Sequence, residues 1–141
     1  RDLFAYTKGL PTYITNYRHS ENTGKTDEQL GDELLELAAC GATLCDVIGD
    51  LYDIQSDEVA VSEKAIAKQM KLIDKLHEKG AEVLMSSHVL KFTPAERVLE
   101  IALEHQRRGA DIAKIVTGAE TMEEQLENLK TANLLKENLK I

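Results

Sequence analysis

Only two cysteines, Cys40 and Cys45, occur in 141 residues, too few for a disulfide scaffold. They read as reduced structural thiols, one at a helix end and one on the following strand. Positive charge is also scarce: 17 Lys plus Arg against 25 Asp plus Glu leave a net charge of −8. That balance argues against nucleic acid or an anionic membrane as partner. No apolar run approaches the roughly 18 residues of a membrane span. With 2 Pro, 8 Gly, 43% hydrophobic and 30% charged residues, the composition is neither disordered nor low-complexity. A soluble single domain over residues 1–141 with one core is expected. No charged-apolar-small signal peptide precedes the first periodic segment, so the cytoplasm is the expected compartment.

What the chain does contain is an internal repeat anchored on Gly9, Gly41, Gly80 and Gly109. The segments are TKGLPTYITNY from Thr7, ACGATLCDVIG from Ala39, EKGAEVLMSSH from Glu78 and RRGADIAKIVT from Arg107. Each is a Gly, a little punctuation and a short run dense in Ile, Val, Leu or Tyr, the pattern of a buried strand. Helical periods with start signals lie between them. Thr26 to Gln29 is a capping box, Ser62 is a plausible N-cap, Thr93 is an N-cap before Pro94 at the first helical position, and Thr121 opens the last helix. The order is β-α four times, with a helical tail over roughly Arg1 to Lys8. Such alternation specifies a parallel sheet with right-handed crossovers. Two architectures fit: a small doubly wound sheet, or half of a (β/α)8 barrel, which takes about 250 residues when whole.

In either architecture chemistry gathers at the carboxyl ends of the strands. The first strand ends at Tyr17-Arg18-His19-Ser20-Glu21, the second carries Asp46, the third ends Ser86-Ser87-His88, and the fourth holds Lys114. Flanked by Ile112, Ala113, Ile115 and Val116, Lys114 is expected to be desolvated, which favours the neutral, nucleophilic amine. A bland reading pairs it with Asp111 or Asp46. His88 can exchange protons with a ligand above the sheet, or be an ordinary hydrogen-bonded surface histidine. Arg18 can grip a carboxylate, or be a solvated charge. His77 and His105, near helix ends, suit the helix dipole as cations. Together with His19 they form no metal spacing, so neither a metal nor a cofactor is expected. Acidic pairs such as Asp57-Glu58 and Glu123-Glu124 read as solvated-face or helix-start charges.

Arg, His and Lys in this order on successive strands resemble type I 3-dehydroquinate dehydratase, the Schiff-base lyase of the shikimate pathway. TNYRHSENTG, MSSHVLKFTPAE and GADIAKIV carry the resemblance, which covers most of Pro11 to Ile141. It implies the barrel reading, with these four strands as the third to sixth of eight. It also implies a small-molecule substrate, 3-dehydroquinate. Lys114 would form the imine, His88 would act as general acid and base, Glu21 would orient His88, and Arg18 and Asp46 would bind substrate. The chain departs from the family in having Val89-Leu90 where Asp-Phe follows the histidine, Asp46-Val47-Ile48 in the second strand where a second acid is common, and Asn22 at the family's acidic position. The stretch from Asp46 to Gly80 is longer than typical. Arg1 and Ile141 then read as cut points, and a partial barrel with open sheet edges is expected to form a homodimer. Alternatives are another imine-forming, aldolase-like barrel, or a non-catalytic α/β module or inactive paralogue.

Overall fold

A computed structural model describes residues 2–7 and 9–141. Its elements are α1 (Asp2–Tyr6), β1 (Tyr13–Thr15), a 3-10 turn (Ser20–Asn22), α2 (Asp27–Ala39), β2 (Leu44–Ile48), α3 (Glu63–Glu78), β3 (Glu82–His88), α4 (Ala95–Arg107), β4 (Ile112–Val116) and α5 (Met122–Asn138). All four expected β-α units are present. The expected tail is helical over Asp2–Tyr6, while Arg1 and Lys8 lie outside the described residues.

The helix starts follow the local chemistry. Reciprocal capping boxes form at Thr26 with Gln29 and at Thr121 with Glu124. Two expectations shift. Pro94 rather than Thr93 occupies the N-cap of α4, and Thr93 Oγ1 turns back to the Lys91 carbonyl at 3.3 Å. Ser62 is the N-cap of α3, but its side chain makes no cap bond; its own N–H donates to Asp53 Oδ2 at 2.8 Å.

The strands lie in the order β1-β2-β3-β4, each pair parallel. A doubly wound sheet reverses its order at a switch point, whereas barrel winding sets each strand beside the last and, with right-handed crossovers, puts the helices on one face. The order therefore selects the barrel alternative, here as an open sheet of four strands. Among the described residues no helix is long and apolar enough to cross a membrane.

Side chains alternate across the sheet, and the two faces differ in kind. Cys45, Val47, Val83 and Met85 point to the helices and are fully buried with Leu30, Leu34, Leu72, Ile73 and Leu76. Burial pushes the Cys45 thiol up to about 11, so it is inert at neutral pH. On the opposite face the register sets Thr15, Asp46, Leu84 and Ile112 in one row, Ile48, Ser86 and Lys114 in the next, and His88 with Val116 in the last. Among the described residues no helix covers this face: Tyr13 is 48% and Ile112 40% exposed. Stability accordingly rests on the helix side. Leu76, wholly inaccessible in that core, is expected to cost about 3 kcal/mol when truncated to alanine, read as a lowered urea midpoint at unchanged m value.

Candidate active site

Asp46, at the centre of β2, is 1% exposed and would be costly to bury without partners. It has four. The hydroxyls of Tyr13 and Tyr17 both donate to its Oδ2, Ser86 Oγ donates to Oδ1 at 2.6 Å, and Lys114 Nζ stands 3.9 Å from Oδ2. Burial, and then the bond to Asp46, hold both phenols above their usual range, so they remain neutral donors. The sequence expectation for Lys114 is corrected in one respect. Its apolar neighbours Ala113 and Ile115 alternate to the other face, so its side chain reaches the open face, is 37% exposed and stands beside Asp46 rather than Asp111.

His88 ends β3 on the same face, one row further toward the carboxyl end than Lys114. Its Nδ1 is 2.8 Å from Glu58 Oε2, which also accepts from the His88 backbone N–H at 2.7 Å. A carboxylate there requires a proton on Nδ1 in the neutral ring, which leaves Nε2 as the basic nitrogen. The Tyr17 ring packs edge-on against the imidazole at 5.5 Å between centroids. Tyr17 thus touches both halves of the site, with its hydroxyl on Asp46 and its ring on His88.

Two expectations for neighbouring residues change. Glu21 lies exposed on the 3-10 turn, and the carboxylate on His88 belongs instead to Glu58, which reads as a solvated charge in sequence. Arg18 does not present a free fork. It donates to Asp27 at 2.7 and 2.9 Å, to Asp50 Oδ1 at 2.6 Å and to the Asp50 carbonyl at 2.9 Å, leaving one of its five N–H groups unengaged among the described residues. Burial works against Asp27, but the bonds from Arg18 and from the Tyr52 backbone hold its carboxyl below the usual range. Arg18 therefore ties the end of β1 to the start of α2 and to the segment after β2. It shares with Tyr17, Asp50, Glu58, His88 and Leu90 the wall of a cleft of about 490 Å³.

Behind the sheet His105 is fully buried rather than a cation at a helix end. Ser87 Oγ gives its only proton to the Glu58 carbonyl at 2.8 Å, so it accepts from His105 Nε2–H at 3.1 Å. Among the described residues His105 Nδ1 has no hydrogen-bond partner. Burial, and then the nearby Arg108 charge, push His105 down to about 3. In the unfolded chain it titrates near 6.5, so below that pH the unfolded state binds a proton the folded state refuses. Stability is full above about pH 6.5 and falls by about 3 kcal/mol on reaching about pH 4. Carboxyls held low in the fold, such as Asp53 and Glu104, begin to add their own loss below about pH 5, so the part of the slope above that belongs to His105. Urea unfolding across that window should show the slope, and His105→Gln should flatten it.

The fold and this cluster define a class: a parallel β/α chain of barrel winding, with a lysine and a histidine on neighbouring strands at its open face. The type I 3-dehydroquinase family model matches residues 2–141, and the chain belongs to that family. No curated protein sequence matches it. Solved structures with the same fold include a type I 3-dehydroquinate dehydratase from Clostridium difficile with covalently modified comenic acid, at 17% identity and a TM-score of 0.77, covering 97% of this chain and 51% of that one. The 3-dehydroquinate dehydratase of Geobacillus kaustophilus is 19% identical with a TM-score of 0.73, over 94% of this chain and 48% of its own. That of Enterococcus faecalis is 20% identical with a TM-score of 0.66, over 92% and 50%. The chain spans about half the length of these relatives.

Proposed function

We propose that this chain carries the reacting residues of a lyase that dehydrates 3-dehydroquinate to 3-dehydroshikimate through an imine on Lys114. The observation that supports the reading most is the placing of Lys114 and His88 on adjacent strands, one row apart on one face, within the type I 3-dehydroquinase family. In this reading Nζ attacks the ketone carbon and the carbonyl oxygen leaves as water. The imine draws electrons from the adjacent C–H bond, and His88 Nε2 takes that proton. The enamine then expels the β-hydroxyl, which leaves as water with the proton His88 returns. A second water hydrolyses the imine, releasing product and restoring the lysine. The remaining N–H of Arg18, on the cleft wall, is the substrate-binding group; Asp46, expected from sequence to bind substrate, is instead buried under three hydroxyl donors and serves as the partner of Lys114.

The open sheet face supports association with a second copy of the chain, and the free Cys40 and Cys45 fit a reducing cytoplasmic setting. The test of the chemistry is intact mass after 3-dehydroquinate and borohydride. A reduced adduct on the wild type that is missing from Lys114→Ala supports imine formation. An unmodified wild type favours the non-catalytic reading, in which Lys114 serves only as the partner of Asp46.

A further inference from the structure

The segment between β2 and α3, residues 49–62, is an irregular loop that folds back on itself at the carboxyl end of the sheet. Its neck closes where Ala60 N–H donates to the Gly49 carbonyl at 2.9 Å. From below, Gln69 Nε2 donates to the carbonyls of Gly49 and Leu51 at 3.0 and 2.8 Å, and Arg108 donates to those of Gly49 and Ala60 at 2.9 and 2.8 Å. Inside the loop Asp53 accepts from the backbone N–H groups of Val61 and Ser62, each at 2.8 Å, and from outside Arg97 on α4 pairs with Asp57. So dense a set of bonds fixes one conformation, including two non-glycine residues at positive φ, Tyr52 at 74° and Glu58 at 51°. A side chain at such φ is strained, and persists only where its surroundings over-determine it.

Glu58 is where that strain is placed. Its carbonyl is held by Ser87 Oγ, and its carboxylate accepts from both the backbone N–H and Nδ1 of His88. Gly49 leaves the room this needs: a Cβ there would stand 2.4 Å from the Glu58 carbonyl oxygen and 2.8 Å from Ser87 Oγ. A surface loop with no task would not need its one strained carboxylate aimed, through two donors, at the end of a strand.

We infer that the β2–α3 loop is a rigid presenting device, and that Glu58 is the positioning residue which fixes the His88 ring and its Nδ1–H tautomer so that Nε2 faces the cleft as the proton carrier. This rests on the lyase reading for the role of the proton, while the Glu58–His88 pairing stands on geometry alone. The Glu58 carboxylate also balances the imidazolium that forms each time His88 holds a substrate proton.

The test compares the full chain with Glu58→Gln and Glu58→Ala. Nitrogen-15 NMR of the His88 ring, with no substrate present, is expected to show the Nδ1–H tautomer in the wild type and Nε2–H in Glu58→Ala. With 3-dehydroquinate, Glu58→Ala is expected to lose on the order of 100-fold in kcat with KM within about threefold. The borohydride adduct should be kept, and added formate should restore part of the rate. Glu58→Gln, which keeps an acceptor without the charge, is expected to fall between. A folded Glu58→Ala that keeps the Nδ1–H tautomer, or keeps kcat within about threefold, overturns the inference. A wild type with neither adduct nor turnover overturns the lyase reading instead, and the tautomer, which needs no substrate, then decides the pairing by itself.

Discussion

Lys114→Ala is expected to abolish borohydride trapping and to lower kcat on the order of 10⁴-fold, about 5 kcal/mol of barrier, while leaving the fold intact. The activity loss follows because no other amine in the described site stands beside the Asp46 cluster: Arg18 is a guanidinium engaged by two carboxylates, and His88 is placed for proton transfer. The stability effect is small for a separate reason. Asp46 is left with three hydroxyl donors, Tyr13, Tyr17 and Ser86, and Lys114 sits on the uncovered face of the sheet. Thermal unfolding of wild type and variant should therefore nearly coincide, whereas the mass spectrum and the turnover separate them. A variant that kept the adduct would move the imine to another lysine.

The parts of this molecule that are local in sequence were legible in it. The four Gly-anchored strands, the capping boxes at Thr26 and Thr121, and the positions of His88 and Lys114 near strand ends all follow from short windows of residues. Periodicity left barrel and doubly wound sheet open because both use the same β-α unit; strand order, a long-range property, separates them. Lys114 shows how a local reading can fail by one step. Its four apolar neighbours suggest a dry site, but Ala113 and Ile115 point to the helix face, and Ile112 and Val116, which share the open face with it, leave its side chain 37% exposed.

Glu58 was illegible for a deeper reason. An acidic pair in a loop has the same local signature whether solvated or aimed at a histidine, and what aims it comes from Gly49, Ala60, Gln69, Ser87 and Arg108, up to about fifty residues away. The same holds for His105, which has the sequence position of a helix-end cation and the surroundings of a core residue. The departures noted in sequence, an unusual acid pattern after β1 and a long stretch after Asp46, were the available signal that the site's acid is supplied from elsewhere.

Removal of Arg108 is the second large effect expected, and it acts on stability first. The side chain is 1% exposed, yet it carries a full charge and donates to the Gly49 and Ala60 carbonyls, to Gln69 Oε1 at 2.8 Å and to Glu104 Oε1 at 3.0 Å. Replacing it with methionine fills much of the volume but strands the Ala60 carbonyl and Gln69 Oε1 among apolar atoms, since Gly49 retains bonds from Ala60 and Gln69 and Glu104 retains Arg107. A buried network that loses one partner costs on the order of 3–5 kcal/mol, a large share of a domain's total stability. Urea unfolding should show that loss in Arg108→Met. Arg108→Lys should show much of it too, because a point ammonium cannot reach two carbonyls and an amide from one planar fork. The functional consequence follows from the same bonds. With the Arg108 bonds beneath the neck of the β2–α3 loop gone, Ala60 is hydrogen-bonded to the rest of the described fold only through its N–H to Gly49 and the hold of Glu58 on His88 loosens, so under conditions where the variant is still folded its kcat should fall toward that of Glu58→Ala. A variant that loses stability but keeps full kcat would show that the loop does not depend on Arg108 to present Glu58.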